Sequence, residues 1–529
     1  MTTTTAAPAS GGSADEAAET RRSARSGVAG LIGAATSGLF GFVLAVVITR
    51  SYGTVGSGAF FAAIGVVTVA AGVSSLGAET GTMWSLPRRR TGPDGDAARV
   101  LPVALLPPLV VATLVAAVGI AASDRLAPRL LTGSGAAGPP LLALTFAAVP
   151  VVVATTVLLA ALRCVRPIRA YVAVQFFLLP VARPVLVGVA ALVGGGLLAG
   201  MTGWLVPAAV ALIACLALVA GPLGVARGAR LRPDARDWRT FWGFALPRAA
   251  SAAIDAASMW VGVLMTAALA GQADAGVFGA VGRYILAGQL AMQGLRVAVS
   301  PQLSRLLGRG QPGAAAAVHR HLTTWGLVLS WPVYLLLAVF GLAFLQLFGP
   351  EFTAGSTAMT VLAVAMLVNT GVGNVQSLLL MGGRSGLHLA ATVAGLAVNV
   401  TLGLLLIPGH GATGAAVAWA CGIATENLTA AACARAVFRQ PLVDRAMARA
   451  AAVTVAGVGA AALVGVLAGG RGIPGLLVAV AVLAVGCVGM LTVARVRRGL
   501  REIMDQIRGR DTGPAPAAGA APTSTPRGR

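Results

Sequence analysis

Apolar runs of 18 or more residues recur from Gly27 to Ala494, parted by short polar loops. A helix of about 20 apolar residues crosses the hydrocarbon core of a bilayer and bonds its own backbone groups there. The runs predict fourteen spans: 27–49, 57–80, 100–122, 140–162, 170–195, 203–222, 241–270, 276–298, 322–348, 356–381, 387–407, 413–434, 451–468 and 475–494. The short alternating segments of a membrane β-barrel are not the pattern here. The expected fold class is therefore an all-α polytopic membrane protein. Residues 1–25, rich in Thr, Ala, Ser and Gly, read as a disordered cytoplasmic tail rather than a signal peptide. Residues 495–529 read as a basic, partly disordered second tail.

Composition supports the spans and charge orients them. The chain is 57% hydrophobic and 11% charged, too little polar surface for a water-soluble globule. All 39 basic residues are arginine, and the net charge is +22. With both termini inside, 31 arginines fall on cytoplasmic segments and four, Arg50, Arg125, Arg129 and Arg471, on external loops. This alternation is the positive-inside pattern, so the basic charge marks topology and no nucleic-acid partner is expected. The absence of lysine excludes a phosphate-binding loop of the GxxxxGK[ST] type, and with it a P-loop ATPase in this chain. Five scattered cysteines and four histidines have no metal or redox spacing, so neither metal nor cofactor is expected. His319 and His321 read as a solvated face. Asp94-Gly95-Asp96 imitates a glycosyltransferase metal triplet, but it stands in a turn-rich loop with no catalytic domain around it. The chain is read as a non-enzyme.

The spans divide into an N-lobe over 26–222 and a C-lobe over 241–436, joined by a basic cytoplasmic linker over 223–240. The spans over 451–494 stand outside both lobes. Each lobe opens with a span, a short loop and a similar segment: Gly58-Ala59-Phe60-Phe61-Ala62 in one, Gly276-Val277-Phe278-Gly279-Ala280 in the other. Two six-helix lobes starting on the same side imply a parallel pseudo-twofold repeat, with a site between the lobes.

Four arginines fall inside spans: Arg183, Arg248, Arg283 and Arg296. Insertion scales put the cost of such a residue at the helix centre at about 2.5–3.5 kcal/mol, so retention points to a role. Arg183 lies between Pro180 and Pro184, where the helix is expected to kink or open. Its alternatives are capping the freed carbonyls and contacting substrate. Arg248 shares a helix face with Asp255, two turns on, and that face is expected to look inward. In span 8, Gln289, Gln293 and Arg296 form one stripe, Arg296 near enough to the cytoplasmic end to snorkel. Arg283 points elsewhere on the same helix. Glu79, Asp255 and Glu426 are the candidate proton or coupling-ion carriers, and Asn369 is a further polar cavity candidate. Such amides also simply join helices.

Several loops then converge on one family. Ile48-Thr49-Arg50-Ser51-Tyr52-Gly53 with Gly58 and Phe60, Phe244-Ala245-Leu246-Pro247 and Ser300-Pro301-Gln302-Leu303-Ser304-Arg305 resemble segments of polysaccharide flippases. So do Leu347-Phe348-Gly349-Pro350-Glu351-Phe352 and Ile407-Pro408-Gly409-His410-Gly411-Ala412-Thr413-Gly414-Ala415-Ala416. The family belongs to the MOP superfamily, which also holds MATE drug antiporters and lipid II flippases. The resemblance implies flipping of an undecaprenyl-pyrophosphate-linked oligosaccharide across the bacterial inner membrane for cell-surface polysaccharide export. Its implied partners are the lipid-linked glycan, membrane lipids, a glycan polymerase and glycosyltransferases. Arg183, Arg248 and Arg283 are then the candidate pyrophosphate contacts, inferred from charge and depth. Lipid II flipping, MATE-type antiport and a degenerate scaffold for cell-wall enzymes are the competing readings.

Overall fold

The computed structural model describes residues 12–90, 97–225, 231–289, 309–373, 375–439 and 443–492, with a few single positions between. Among the described residues the chain is all helical, with no strand. Ten helical stretches are long and apolar enough to cross a membrane. Two of them hold two spans each: Gly12–Ser74 is broken at Gly53 (φ 64°) and Ser385–Phe438 at Gly411 (φ 51°). Dividing these, and adding Gln272–Gly288 and Ile473–Thr492, returns the expected fourteen. Large apolar side chains stand fully outside the packing, including Leu192 at 88% and Leu467 at 78% exposure. Each would cost about 1.5–3 kcal/mol against water and nothing against lipid.

The pseudo-twofold is visible where the lobes meet. Gly53 and Gly271 each stand five residues before the paired glycines and adopt matching backbone angles, φ 64°, ψ −169° and φ 97°, ψ 176°. Gly58 and Gly276 then pack against each other reciprocally. A Cβ on Gly58 would collide with the Gln272 carbonyl oxygen and lie 2.9 Å from the Gly276 nitrogen. A Cβ on Gly276 would collide with the Thr54 carbonyl oxygen and lie 3.0 Å from the Gly58 nitrogen. Thr54 and Gln272 are themselves equivalent, four residues before each glycine. Small residues here let two backbones touch at the local axis.

Around this contact an aromatic cluster seals the external half of the seam. Phe42 of span 1 meets Tyr284 of span 8 and Phe348 beyond span 9, with ring centroids 4.9 and 5.5 Å apart. Polar ties lie outside it: Arg50 donates to the carbonyls of Leu347 (2.8 Å) and Gln346 (3.0 Å), and Gln272 donates to Leu130 (2.6 Å). Span 1 turns Ala35, Leu39 and Val43 outward, one turn apart.

Several expectations change. Residues 12–25, expected to be a disordered tail, are helical and continue into span 1. Ala, Glu and Arg are strong helix formers there, and a helix already nucleated by the span extends cheaply. The linker over 223–240 is shorter than expected because the span 7 helix begins at Ala235, capped reciprocally by Asp234 and Asp237. Helices Ala78–Arg90 and Ser123–Leu130 occupy stretches read mostly as loop. His319, expected on a solvated face, is fully buried in helix Pro312–Leu345. The tail over 495–529 lies outside the described residues.

Candidate functional site

Span 8 presents glycine to the seam at Gly276, Gly279 and Gly282. Gly279 receives the Phe61 ring from the other lobe, while nothing lies within 4 Å of the Gly282 Cβ direction. The side chains omitted there leave a cavity of about 490 Å³, lined by spans 7, 8, 11 and 12 and by Arg283. The Arg283 guanidinium carbon lies 5.2 Å from the Phe61 ring and 5.3 Å from the Trp260 ring. Such cation–π contacts contribute about 0.5–2 kcal/mol and leave the N–H donors unspent. No carboxylate pairs with Arg283 among the described residues. Ser258 and Asn399 also line the cavity, and the buried Ser258 hydroxyl has no hydrogen-bond partner. The lining is therefore a single positive charge, the unpartnered Ser258 hydroxyl, Asn399, the aromatic faces of Trp260, Phe278 and Trp419, and the apolar side chains of Met259, Val263 and Leu286. In this conformation the cavity is narrow, too tight for a large headgroup.

Arg183 occupies a different place. A π turn, Ala173–Leu178, immediately precedes Pro180. Proline has no N–H to close the ladder, and the wider turn absorbs the mismatch. Beyond it Arg183 lies with its guanidinium carbon 4.1 Å from the Trp204 ring of span 6. Its buried Nε has no hydrogen-bond partner. Span 5 packs on spans 1 and 6, so Arg183 sits within the N-lobe, and it is not part of the Arg283 cavity lining.

Arg248 is exposed and sits 4.8 Å over the Phe244 ring. Phe244 stacks on Trp84 with centroids 4.4 Å apart, and Arg88 lies 4.7 Å over the Trp84 ring. This stack, with the ion pairs Arg89–Asp237 and Arg99–Asp234 (each 2.7 Å), ties span 7 to the cytoplasmic end of span 2 and the loop after it. Asp255 is also exposed, and no ion pair joins it to Arg248 among the described residues.

The remaining candidates separate. Glu79 lines a second, more polar cavity with Arg163, Tyr171 and Gln175, inside the N-lobe near its cytoplasmic end. Glu426 accepts hydrogen bonds from Gln376 (2.8 Å) and Thr392 (3.0 Å), a network joining spans 10, 11 and 12. Gln289 and Asn369 both point amide nitrogens at the Met366 sulfur, at 3.3 and 3.5 Å. Gln293 and Arg296 lie outside the described residues. Sequence reasoning did not single out Trp84, Trp204, Trp260 or Arg163. Trp204 and Trp260 lie on other spans than the arginines they face, and no spacing within one helix pairs them.

No protein-family model matches the chain, and no curated protein matches it by sequence. Solved structures do match in fold. The lipid II flippase MurJ in an inward closed conformation superposes with a TM-score of 0.69 at 11% identity, over 87% of this chain and 98% of that one. An inward-facing multidrug-resistance MATE transporter of the MOP superfamily gives 0.64 at 15% identity, over 76% of this chain and 94% of that one. An outward-facing MATE transporter gives 0.51 at 16% identity, over 79% and 95%. The chain thus shares its fold with these solved membrane proteins.

Proposed function

We propose that the chain is a transporter that flips an undecaprenyl-pyrophosphate-linked oligosaccharide from the inner to the outer leaflet of a bacterial inner membrane, by alternating access, for cell-surface polysaccharide export. The observation carrying this reading is the cavity lined by spans 7, 8, 11 and 12 of the C-lobe, which holds Arg283 with no carboxylate partner among the described residues and no carboxylate in its lining. Arginine presents planar donors that suit phosphate oxygens. Trp260 and Trp419 supply flat faces on which sugar rings pack. The headgroup enters from the cytoplasmic side past Arg248, the lobes rock about the Gly58–Gly276 contact, and the prenyl tail stays in lipid. An inside-negative potential favours outward movement of the anion by about 2.3 kcal/mol per charge per 100 mV. The lobes therefore need no nucleotide hydrolysis in this chain.

A lipid II substrate is the second reading, favoured by the match to MurJ over 87% of the chain. The two substrates share the pyrophosphate and differ in the glycan. A MATE-type cation exporter calls for acid in the cavity, which the lining lacks. The test is complementation of a strain lacking its own polysaccharide flippase, with protein amounts matched. Arg283→Ala should abolish surface polysaccharide and Arg283→Lys should retain part of it. Full export by Arg283→Ala would overturn the pyrophosphate assignment. Rescue of a lipid II flippase mutant instead would shift the substrate.

A further inference from the structure

Arg471, one of the four external arginines, stands in the turn between spans 13 and 14, away from the lobe seam. It lines a separate cavity of about 660 Å³ with the external ends of spans 9 and 10. The rim beside it carries Ser356, Thr357 and Thr360. Thr360 spends its proton on backbone, donating to the carbonyls of Ala338 (2.8 Å) or Ser356 (3.1 Å). The Ser356 and Thr357 hydroxyls make no side-chain hydrogen bond among the described residues, and Arg471 has no carboxylate partner among them. The nearby loop acid, Glu351, is turned toward Thr54. The available groups at this mouth are therefore donors: one guanidinium and two hydroxyls.

Below the rim the lining becomes apolar, with Val361 and Leu342. Thr360 lies one turn into span 10, roughly 6 Å along the helix, and Ala338 seven residues before the end of span 9, roughly 10 Å in. With the external helix ends set at the bilayer surface, the cavity reaches from the interface toward acyl-chain depth and its donors fall at the level of lipid phosphates. A free anion would meet the same donors but has no use for the apolar floor.

We propose that this cavity binds the phosphate of a glycerophospholipid in the outer leaflet, with Arg471, Ser356 and Thr357 as donors. The site does not depend on the substrate reading above.

The test is native mass spectrometry of the purified full chain in detergent. Dioleoylphosphatidylglycerol is titrated alone and against dioleoylglycerol, which has the same chains and no phosphate, or inorganic phosphate. Arg471→Gln should weaken one bound phosphatidylglycerol by about tenfold, the range of a charge-assisted phosphate contact. Arg471→Lys should lose much less. Arg125→Gln, a control external arginine outside the cavity, should lose nothing, and unchanged melting temperatures should show that all three variants are folded. Neither dioleoylglycerol nor millimolar inorganic phosphate should displace the lipid. Equal binding by Arg471→Gln and wild type, or equal loss in Arg125→Gln, would overturn the site. Displacement by inorganic phosphate would reject a lipid in favour of a free anion.

Discussion

Arg50 offers the sharpest test of how the external seam is held. Its guanidinium spans the lobes, donating Nε to the Leu347 carbonyl at 2.8 Å and Nη2 to the Gln346 carbonyl at 3.0 Å. Both carbonyls follow the last turn of the span 9 helix, where backbone acceptors are free and the helix dipole favours a cation. The side chain is exposed, so water competes, and each bond is taken at the low end, about 0.5–1 kcal/mol. Thr54 to Glu351 at 3.4 Å adds little. Arg50→Ala should therefore release about 1–2 kcal/mol of seam closure, near tenfold in the closed-to-open equilibrium. If the open state is populated at about 1%, it rises to about 10%, which is measurable. The assay is double electron–electron resonance between labels on Asp124 and Ala354, exposed on opposite lobes. The five native cysteines are first replaced. The variant should gain a longer-distance population that Arg50→Lys, keeping one bond, shows in smaller measure. An unchanged distance distribution in Arg50→Ala would refute the clamp and leave closure to the aromatic cluster behind it.

Gly58→Ala and Gly276→Ala each place a methyl on backbone atoms across the pseudo-twofold. Each should lower the melting temperature in detergent by the equivalent of about 1–3 kcal/mol, whereas Gly457→Ala, with nothing within 4 Å, should not. Glu426→Ala strands the Gln376 and Thr392 donors and should cost about 1–3 kcal/mol of stability; an unchanged melt would show that water replaces the carboxylate. Trp84→Ala removes the ring between Arg88 and Phe244. It should raise the reactivity of a cysteine at position 248 toward a membrane-impermeant thiol reagent added from the cytoplasmic side; equal labelling would mean the stack does not shield that mouth.

How much of this was legible in the sequence depends on whether a feature is local to one helix. Span length and arginine alternation are local, and the fourteen spans emerge once Gly53 and Gly411 are recognised as breaks. The Gly58 and Gly276 match pointed to the repeat, yet the equivalence of Gly53 and Gly271 became evident only from their shared positive φ. Depth is also local, so Arg183 and Arg283 could be marked as buried charge. Their surroundings could not, because helical periodicity gives a face and never names the helix that packs on it. Trp204 and Trp260 are distant in sequence from the arginines they face. Arg248 shows the same limit from the other direction. The seven-residue spacing sets it on one helix face with Asp255, and both side chains are exposed, with no ion pair between them among the described residues. Two opposite charges on one face, two turns apart, are too far to bond each other and must each be served by whatever lies opposite. Arg248 instead rests over Phe244, one turn away on the same helix. Among the described residues Arg248 has no carboxylate partner, while Asp237, nearer the helix start, takes Arg89. The division follows from position along one helix: the carboxylate at the capped end is neutralised by Arg89 of helix Ala78–Arg90, and the arginine deeper in rests over the Phe244 ring.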